Sequence, residues 1–468
     1  MSTKLRGSSI RSGGAIRGGH GLRRLIATLA VAALVGSCTG NDPTSGGSQP
    51  PPLTTVTPTP ITAPLPSDVS TSPVDAAAVL TKWDLWSSGS TLLRGANIWQ
   101  SVVIPDLDGA TFKGSGRVGP PYTQTDFDQL AALGANYVSI SGPGLFTEQP
   151  PFQADHAVVA HLESLLAMIA EADMFATIGF RTGPGRSEYG LCCGGDNYFD
   201  GYFNDTVWED AAAQGAWAEM WRYTADRFKD HPAVVGYKLM VEPNAGAVFF
   251  DVYEPDEFYP EFEGTLLDWN ELYPDLVEAI REVDPDTPIL VGGMGFSSLR
   301  WMPYLDTIDV DKIVYVAHQY EPFDDYTHQE PSDDNTYPGS FDLDYDDEDD
   351  DFDRAWLDRV LLAPLDAFRS QNQATVTVDE FGVNRWVPGA DAYMADIMDL
   401  FEARAMNHAL WEWQASWPEF RLEVHPMDFR FGPDPDNLID TQNDLMDAIT
   451  AAWARNRLRL SDAPWADR

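Results

Sequence analysis

The strongest constraint on this chain is an alternation that recurs eight times. Short apolar runs rich in β-branched and aromatic residues lie at Leu92–Ile98, Tyr137–Ser141, Phe175–Phe180, Val234–Val241, Pro288–Gly292, Ile313–His318, Thr375–Glu380 and Ala409–Trp413. Between them, Asp126–Leu133, His156–Ala172, Trp208–Phe228, Trp269–Val283, Arg354–Phe368 and Asp391–Arg404 carry apolar residues at three- and four-residue spacing, the period of one helix face. Strand-then-helix order builds a parallel sheet with crossover helices. Continuous runs such as Val314-Tyr315-Val316-Ala317 suit strands buried on both faces. Eight such units predict an α/β fold, a (β/α)8 TIM barrel whose functional loops follow the C-terminal ends of the strands. A doubly wound sheet is the alternative. No internal repeat or linker interrupts the region, so residues 74–468 are expected to form one domain.

The residues before it read differently. Lys4, Arg6, Arg11, Arg17, Arg23 and Arg24 precede the apolar run Leu25–Val35, long enough for the core of an export signal and short for a spanning helix. The run ends in Val35-Gly36-Ser37-Cys38, which resembles a bacterial lipobox; residues 1–38 are therefore expected to be a signal peptide, with Cys38 lipidated after cleavage. Ordinary secretion is the alternative. Residues 39–73 are dominated by Pro, Thr, Ser, Gly and Asp, too poor in apolar surface to offset the entropy of ordering, and form a linker. The expected location is extracellular or cell-surface, touching the membrane only through an N-terminal lipid.

Charge narrows the partners. The chain carries 73 acidic against 30 basic residues, a formal charge of −43, which argues against nucleic acid because phosphate backbones attract basic surfaces. Only six of the basic residues are lysines; self-repulsion of this size keeps a protein dispersed, and salt adaptation or a GC-rich genome would each give the pattern. A monomer is expected.

Acidic residues that close an apolar strand are informative, since a barrel presents its chemistry there and buried charge is otherwise costly. The fourth run ends Lys238-Leu239-Met240-Val241-Glu242-Pro243-Asn244, and the seventh ends Val376-Thr377-Val378-Asp379-Glu380-Phe381-Gly382. Strands four and seven of a closed eight-stranded barrel face each other across the mouth, so Glu242 and Glu380 are expected to meet.

On these paired strand ends, and from Leu93-Arg94-Gly95-Ala96-Asn97 to Trp411, the sequence resembles family five glycoside hydrolases, the cellulase and mannanase group. The resemblance implies a retaining glycosidase acting on a β-linked glucan or mannan, with Glu242 as general acid/base and Glu380 as nucleophile. It further implies substrate contacts from His318 and Tyr320, which stand in the family's His-x-Tyr as His318-Gln319-Tyr320, and from Trp411 under the sugar at the cleavage point, with Trp413 as the alternative one pleat away. No cofactor and no metal are implied. Val241 departs from the family's asparagine, for which Asn244 is the candidate substitute; Ser139 replaces the family's arginine, and the third strand ends Gly179-Phe180-Arg181 without its histidine. Arg181 or Arg186 is expected to supply the missing positive charge near the nucleophile. These departures keep a second reading open, a carbohydrate-binding lipoprotein that has lost turnover.

Four further features were weighed. Trp99, Trp301, Trp386 and Trp417 are aromatics near strand ends suited to stacking on sugar faces or to packing, Trp386 being the strongest candidate because Asn384-Arg385-Trp386 follows Glu380. Cys192-Cys193 form either a vicinal disulfide or a reduced pair, without zinc spacing. The run Asp342–Asp351 holds eight carboxylates and reads as a solvated insertion more than as a calcium loop. Arg455-Asn456-Arg457-Leu458-Arg459 reads as a surface face.

Overall fold

A computed structural model describes residues 81–188, 202–328, 335–343, 348–421 and 426–466. Cys38, the signal and linker segments, the Cys192-Cys193 pair and the centre of the acidic run lie outside these residues.

Eight parallel strands close into a barrel: β1 Arg94–Trp99, β2 Tyr137–Gly142, β3 Phe175–Phe180, β4 Val234–Lys238, β5 Ile289–Gly292, β6 Ile313–Gln319, β7 Thr375–Phe381 and β8 His408–Leu410. Closure is made by β1, which pairs with β2 through Gly95 opposite Tyr137 and with β8 through Arg94 opposite His408. A doubly wound sheet is thereby excluded. Gly95 is required by this seam, since a Cβ there would stand 1.7 Å from the Tyr137 carbonyl oxygen.

The strands begin and end close to the apolar runs, but β4 stops at Lys238 and β8 at Leu410, each shorter than the hydrophobic stretch that marked it. The remaining apolar residues, Leu239 to Val241 and Trp411 to Trp413, are buried in the loops above the strands.

Outside the barrel lie α1 Gln124–Ala132, α2 His156–Glu171, α3 Ala211–Phe228, α4 Trp269–Arg281, α5 Ala363–Asn372, α6 Ala390–Ala403 and α7 Asp444–Trp453. Two expectations fail here. The fifth unit has no α-helix: β5 and β6 are joined by a loop whose helical part is the single 3₁₀ turn Met302–Tyr304. The expected helix Arg354–Phe368 is broken into a short turn at Arg354–Trp356, a π-helical turn at Leu357–Leu361 and α5. Pro364 explains the break, because proline has no N–H to donate and sits well only in a first helical turn, which it occupies in α5.

The barrel's lower end is plugged. The helix Asp84–Ser87 brings Leu85 and Trp86 beneath the strands, where Trp86 Nε1 donates to Val235 O at 2.9 Å. The C-terminal segment joins it. Leu458, Leu460 and Trp465 pack against Leu93, Phe175 and Val314. Arg455–Arg459 is therefore not a free surface face: Leu458 is buried, and Asn456 accepts from Arg94 Nη1 at 2.9 Å and donates to Gly134 O at 2.8 Å. With the bottom sealed, side chains at the strands' C-terminal ends are the ones presented to an open mouth.

Candidate active site

The two glutamates are held by different local structures. Beyond β4, Val241 N still donates to Phe180 O at 2.9 Å, and the chain then turns at Glu242, whose φ of +54° lies in the left-handed region uncommon for residues other than glycine. On β7 the register against β6 slips between Val378 and Glu380, so that Val378 faces Ala317 and Glu380 faces His318. This bulge takes up one extra residue. Its effect is that two consecutive acids, Asp379 and Glu380, both point into the barrel, where strict alternation would send one outward.

His318 sits between them. Its Nδ1 is 2.8 Å from Glu242 Oε1 and 3.6 Å from Glu380 Oε2, while Nε2 is 3.0 Å from Lys238 Nζ and 3.3 Å from Asp379 Oδ1. Lys238 and Asp379 complete the layer as a buried ion pair at 2.9 Å. Tyr320 donates its phenol to Glu380 Oε1 at 3.0 Å, which leaves Glu380 Oε2 without a hydrogen bond. The nearest oxygen and nitrogen atoms of Glu242, His318 and Glu380 all lie within 4.8 Å of one another. That spacing would also admit a cation, but His318 Nδ1 is already hydrogen-bonded to Glu242 and its Nε2 lies against Lys238 and Asp379.

The electrostatics follow from burial and from these contacts. Burial opposes a charge on His318, but Glu380 above all, with Asp379 and Glu242, outweighs it and Lys238's repulsion, holding the imidazolium up to about 9. Burial raises Glu242, yet the His318 hydrogen bond and the charges of His318, Arg181 and Lys238 pull it below the usual carboxylate range. Glu380 is raised by burial and by Glu242's charge, against the pull of His318, Lys238 and Arg181. The two carboxyls titrate as a pair. Tyr320 is pushed far up by burial and Glu380, so it remains a donor throughout the working range.

Arg181 and Trp411 form the adjoining wall. Arg181 is buried, pairs through Nε with Glu188 Oε1 at 2.9 Å, lies 5.7 Å from the Trp411 ring centre and exerts its charge on both glutamates. Of the two arginines expected to supply the missing positive charge, it is the one whose charge acts on Glu380; Arg186 instead binds the chain at Glu242. The register question also closes. Trp413 packs against Arg430 and donates to Asp126 O, away from the glutamates, whereas Trp411 faces Arg181.

Other candidates are placed elsewhere. Asn244 is fully buried and accepts at Oδ1 from Arg186 Nη2 at 3.1 Å, which ties it to the Glu242 turn. Trp386 lies over Arg385, whose guanidinium donates to carbonyls of the 432–437 loop. Trp301 is core, donating to Tyr253 O at 3.0 Å. Trp417 donates to Thr111 O, and Trp99 to Glu188 Oε1 at 3.1 Å beside Arg181.

Sequence reasoning missed Lys238, Asp379, Glu188 and Glu412. The first two were legible only as charges inside an apolar strand. Removing one of a buried pair strands the other charge: Lys238→Met is expected to cost about 3–5 kcal/mol of stability by urea unfolding, since Asp379 is then buried with no cation but His318. Glu412 follows Trp411 and is buried, and its carboxyl is raised to about 8 by burial and by Asp428, against the Gln414 hydrogen bond. A raised carboxyl stabilises the fold fully below the ordinary value of 4.5 and loses that contribution as pH climbs to 8. Glu412→Gln should therefore gain on the wild type by about 2–4 °C in melting temperature between acid and mildly basic buffer, a gain absent if Glu412 is ionised in the fold.

A closed parallel barrel whose fourth and seventh strands each deliver a glutamate to one end is the architecture of the barrel-type glycoside hydrolases. The family described as Cellulase (glycosyl hydrolase family 5) matches residues 103–416, and the chain belongs to it. Among curated proteins it is 31% identical over 131 residues to endoglucanase C of Acetivibrio thermocellus, covering 28% of this chain and 33% of that protein. It is 26% identical over 207 residues to a probable glucan 1,3-beta-glucosidase A of Aspergillus fumigatus, 44% of each. It is 38% identical over 78 residues to an endoglycoceramidase of Hydra vulgaris, 17% of this chain and 14% of that protein. The match thus spans about a third of the curated endoglucanases' length. The fold is that of endoglucanase Cel5A from Thermotoga maritima, with a TM-score of 0.54, 17% identity and coverage of 79% and 100%.

Proposed function

We propose that the protein hydrolyses O-glycosidic bonds of a β-linked glycan, a glucan or mannan, by double displacement with net retention. The observation that carries this reading is the spacing of Glu242 and Glu380, whose nearest oxygens lie within 4.8 Å. Retaining enzymes hold their carboxyls about 5–5.5 Å apart, whereas inverting enzymes need about 6.5–9.5 Å to seat a water. Both carboxylates, His318 and Tyr320 are in place, which favours an enzyme over the binding lipoprotein.

Glu380 Oε2, the oxygen left free by Tyr320, attacks the anomeric carbon while Glu242 gives its proton to the departing glycosidic oxygen. The C–O bond to the leaving group breaks as the glycosyl ester to Glu380 forms. Water then attacks the same carbon, Glu242 takes its proton, and the ester carboxylate leaves. Glu242 lies low and Glu380 high, directions that taken alone would exchange the roles. Position decides otherwise. Tyr320 permanently donates to Glu380 and so favours an accepting carboxylate there, and forming the ester removes the charge of Glu380, which fits Glu242 to alternate as acid and base. Arg181, beside Trp411, favours the ionised, attacking form of Glu380, and Trp411 offers its ring to the sugar.

The same proposal places the protein outside the cytoplasm as a monomer held by lipid at Cys38 with residues 39–73 as a spacer. Among the described residues no helix is long and apolar enough to cross a membrane. Hydrolysis by the purified 74–468 region of β-1,4- and β-1,3-glucans, β-mannans and a glycosylceramide, beside Glu242→Gln and Glu380→Gln, tests the reading. Turnover lost in both variants supports it; glycan binding without turnover in the wild type overturns it in favour of the binding lipoprotein.

A further inference from the structure

We propose that Arg186 is the positioning residue that holds the acid/base glutamate in its working conformation, by clamping the two carbonyls on either side of the turn that Glu242 makes. Glu242 lies outside the barrel ladder. β4 has ended at Lys238, Val241 N makes the last bond to β3, and Glu242 then takes a left-handed φ of +54°. A side-chain-bearing residue does not hold that conformation by its own preference. Val241 and Glu242 are both buried, so their carbonyls need donors.

Arg186 meets both. Its Nη1 donates to Val241 O at 2.8 Å and its Nη2 to Glu242 O at 2.7 Å, with a third bond from Nη2 to Asn244 Oδ1 at 3.1 Å. The planar fork of a guanidinium suits two consecutive carbonyls, which a lysine ammonium would meet one at a time. Beyond the clamp, Phe296 N donates to Pro243 O at 3.1 Å, so every carbonyl from 241 to 243 has a fixed donor.

The arginine is itself held. Gly183 and Arg186 exchange backbone hydrogen bonds at 3.0 and 2.9 Å, closing a tight turn. That turn needs Gly185, whose φ is +71° and where a Cβ would come within 2.8 Å of Thr206 Oγ1 and Val207 N. Pro184 O accepts from Trp217 Nε1 at 2.7 Å, which ties the turn to α3. Arg186 is fully buried, and Asp205, itself 2% exposed, offsets the charge from behind. Neither touches Glu380 among the bonds described, so the clamp acts on one of the two carboxylates. It rests on the reading of Glu242 as acid/base.

The test separates acid assistance from everything else by the leaving group. A phenoxide leaving group needs a proton, whereas 2,4-dinitrophenoxide departs without one, and kcat/KM reports the first displacement for both. Arg186→Met is expected to lower kcat/KM by about 100-fold on the phenyl β-glycoside and by less than about 5-fold on the dinitrophenyl β-glycoside of the same sugar. Arg186→Lys, which keeps a buried cation and one donor, should show the same asymmetry at smaller size and serves if Arg186→Met does not fold. Equal losses on both substrates would overturn the proposal, since a general structural role depresses the first displacement of both substrates alike. Glu242→Gln run alongside keeps the two failures apart. If it shows no asymmetry, the acid/base reading itself falls; if it does and the Arg186 variants do not, only the clamp falls.

Discussion

Glu380→Gly is expected to reduce hydrolysis of any substrate by about 10⁴-fold or more, because the first displacement loses its nucleophile. The loss should be the same for good and poor leaving groups, since no leaving group replaces an attacking oxygen. Glu380 is 4% exposed and stands in a layer already crowded by His318 and Tyr320, so the space vacated by its carboxylate is small and lies against the anomeric carbon. Azide fits there. It should restore turnover of a dinitrophenyl β-glycoside and yield the α-glycosyl azide, because it attacks from the face that Glu380 used. Activity that survives in Glu380→Gly, or azide incorporated with retained configuration, would show that another group is the nucleophile.

Glu242→Ala should behave in the opposite way. The covalent intermediate still forms from an activated substrate, but its breakdown lacks a base, and poor leaving groups lack a proton. Losses of about 10²–10⁴-fold are expected on phenyl glycosides or glycan and small ones in kcat/KM on dinitrophenyl glycosides. Azide, needing no base, should enter on the face vacated by Glu242 and give the β-glycosyl azide. The two products together assign the two carboxylates independently of any pKa. That independence matters because His318 draws Glu242 down while burial and Glu242's charge push Glu380 up.

The barrel was legible because its strands are buried on both faces and so leave unbroken apolar runs. Element order and closure followed from counting them. What the runs did not reveal was where pairing stops. Leu239 to Val241 are as apolar as the strand before them and equally buried, but they lie in a loop whose hydrogen bonds go singly to β5, α3, β3 and Arg186. Periodicity also over-extended the helix after β6, where Pro364 and the π-helical turn at Leu357–Leu361 interrupt an otherwise helical spacing. The loop from β5 to β6 shows that the eighth helix of such a fold can be dispensed with when side chains such as Trp301, Met302 and Leu305 cover the strands from a single turn.

At the site, the two glutamates stood out because each closes an apolar run, and the His-x-Tyr at the end of β6 came with them. Their supporting layer did not. Asp379 is adjacent to Glu380, and on a regular strand it would face the other way; only the bulge after Val378 turns both inward and lets Asp379 meet Lys238. Arg186 was singled out as a charge for the nucleophile, yet its guanidinium serves backbone carbonyls at Glu242, a contact between two loops far apart in sequence. Arg181 brings its charge to both glutamates, where Ser139 and the third strand's ending supply none. Replacing a side chain that is absent from one strand by one from its neighbour is open to a barrel, whose strand ends converge on one small space.

The central claim is that Glu380 becomes covalently bonded to the sugar. Incubating the 74–468 region with the 2,4-dinitrophenyl 2-deoxy-2-fluoro β-glycoside of a sugar it hydrolyses tests this most directly, since fluorine slows both displacements and the good leaving group spares the first. The protein's mass is expected to rise by one fluoroglycosyl unit, with the modified peptide carrying it on Glu380. An enzyme that turns over the parent glycoside but gains no mass, or gains it on Glu242 or elsewhere, would contradict it.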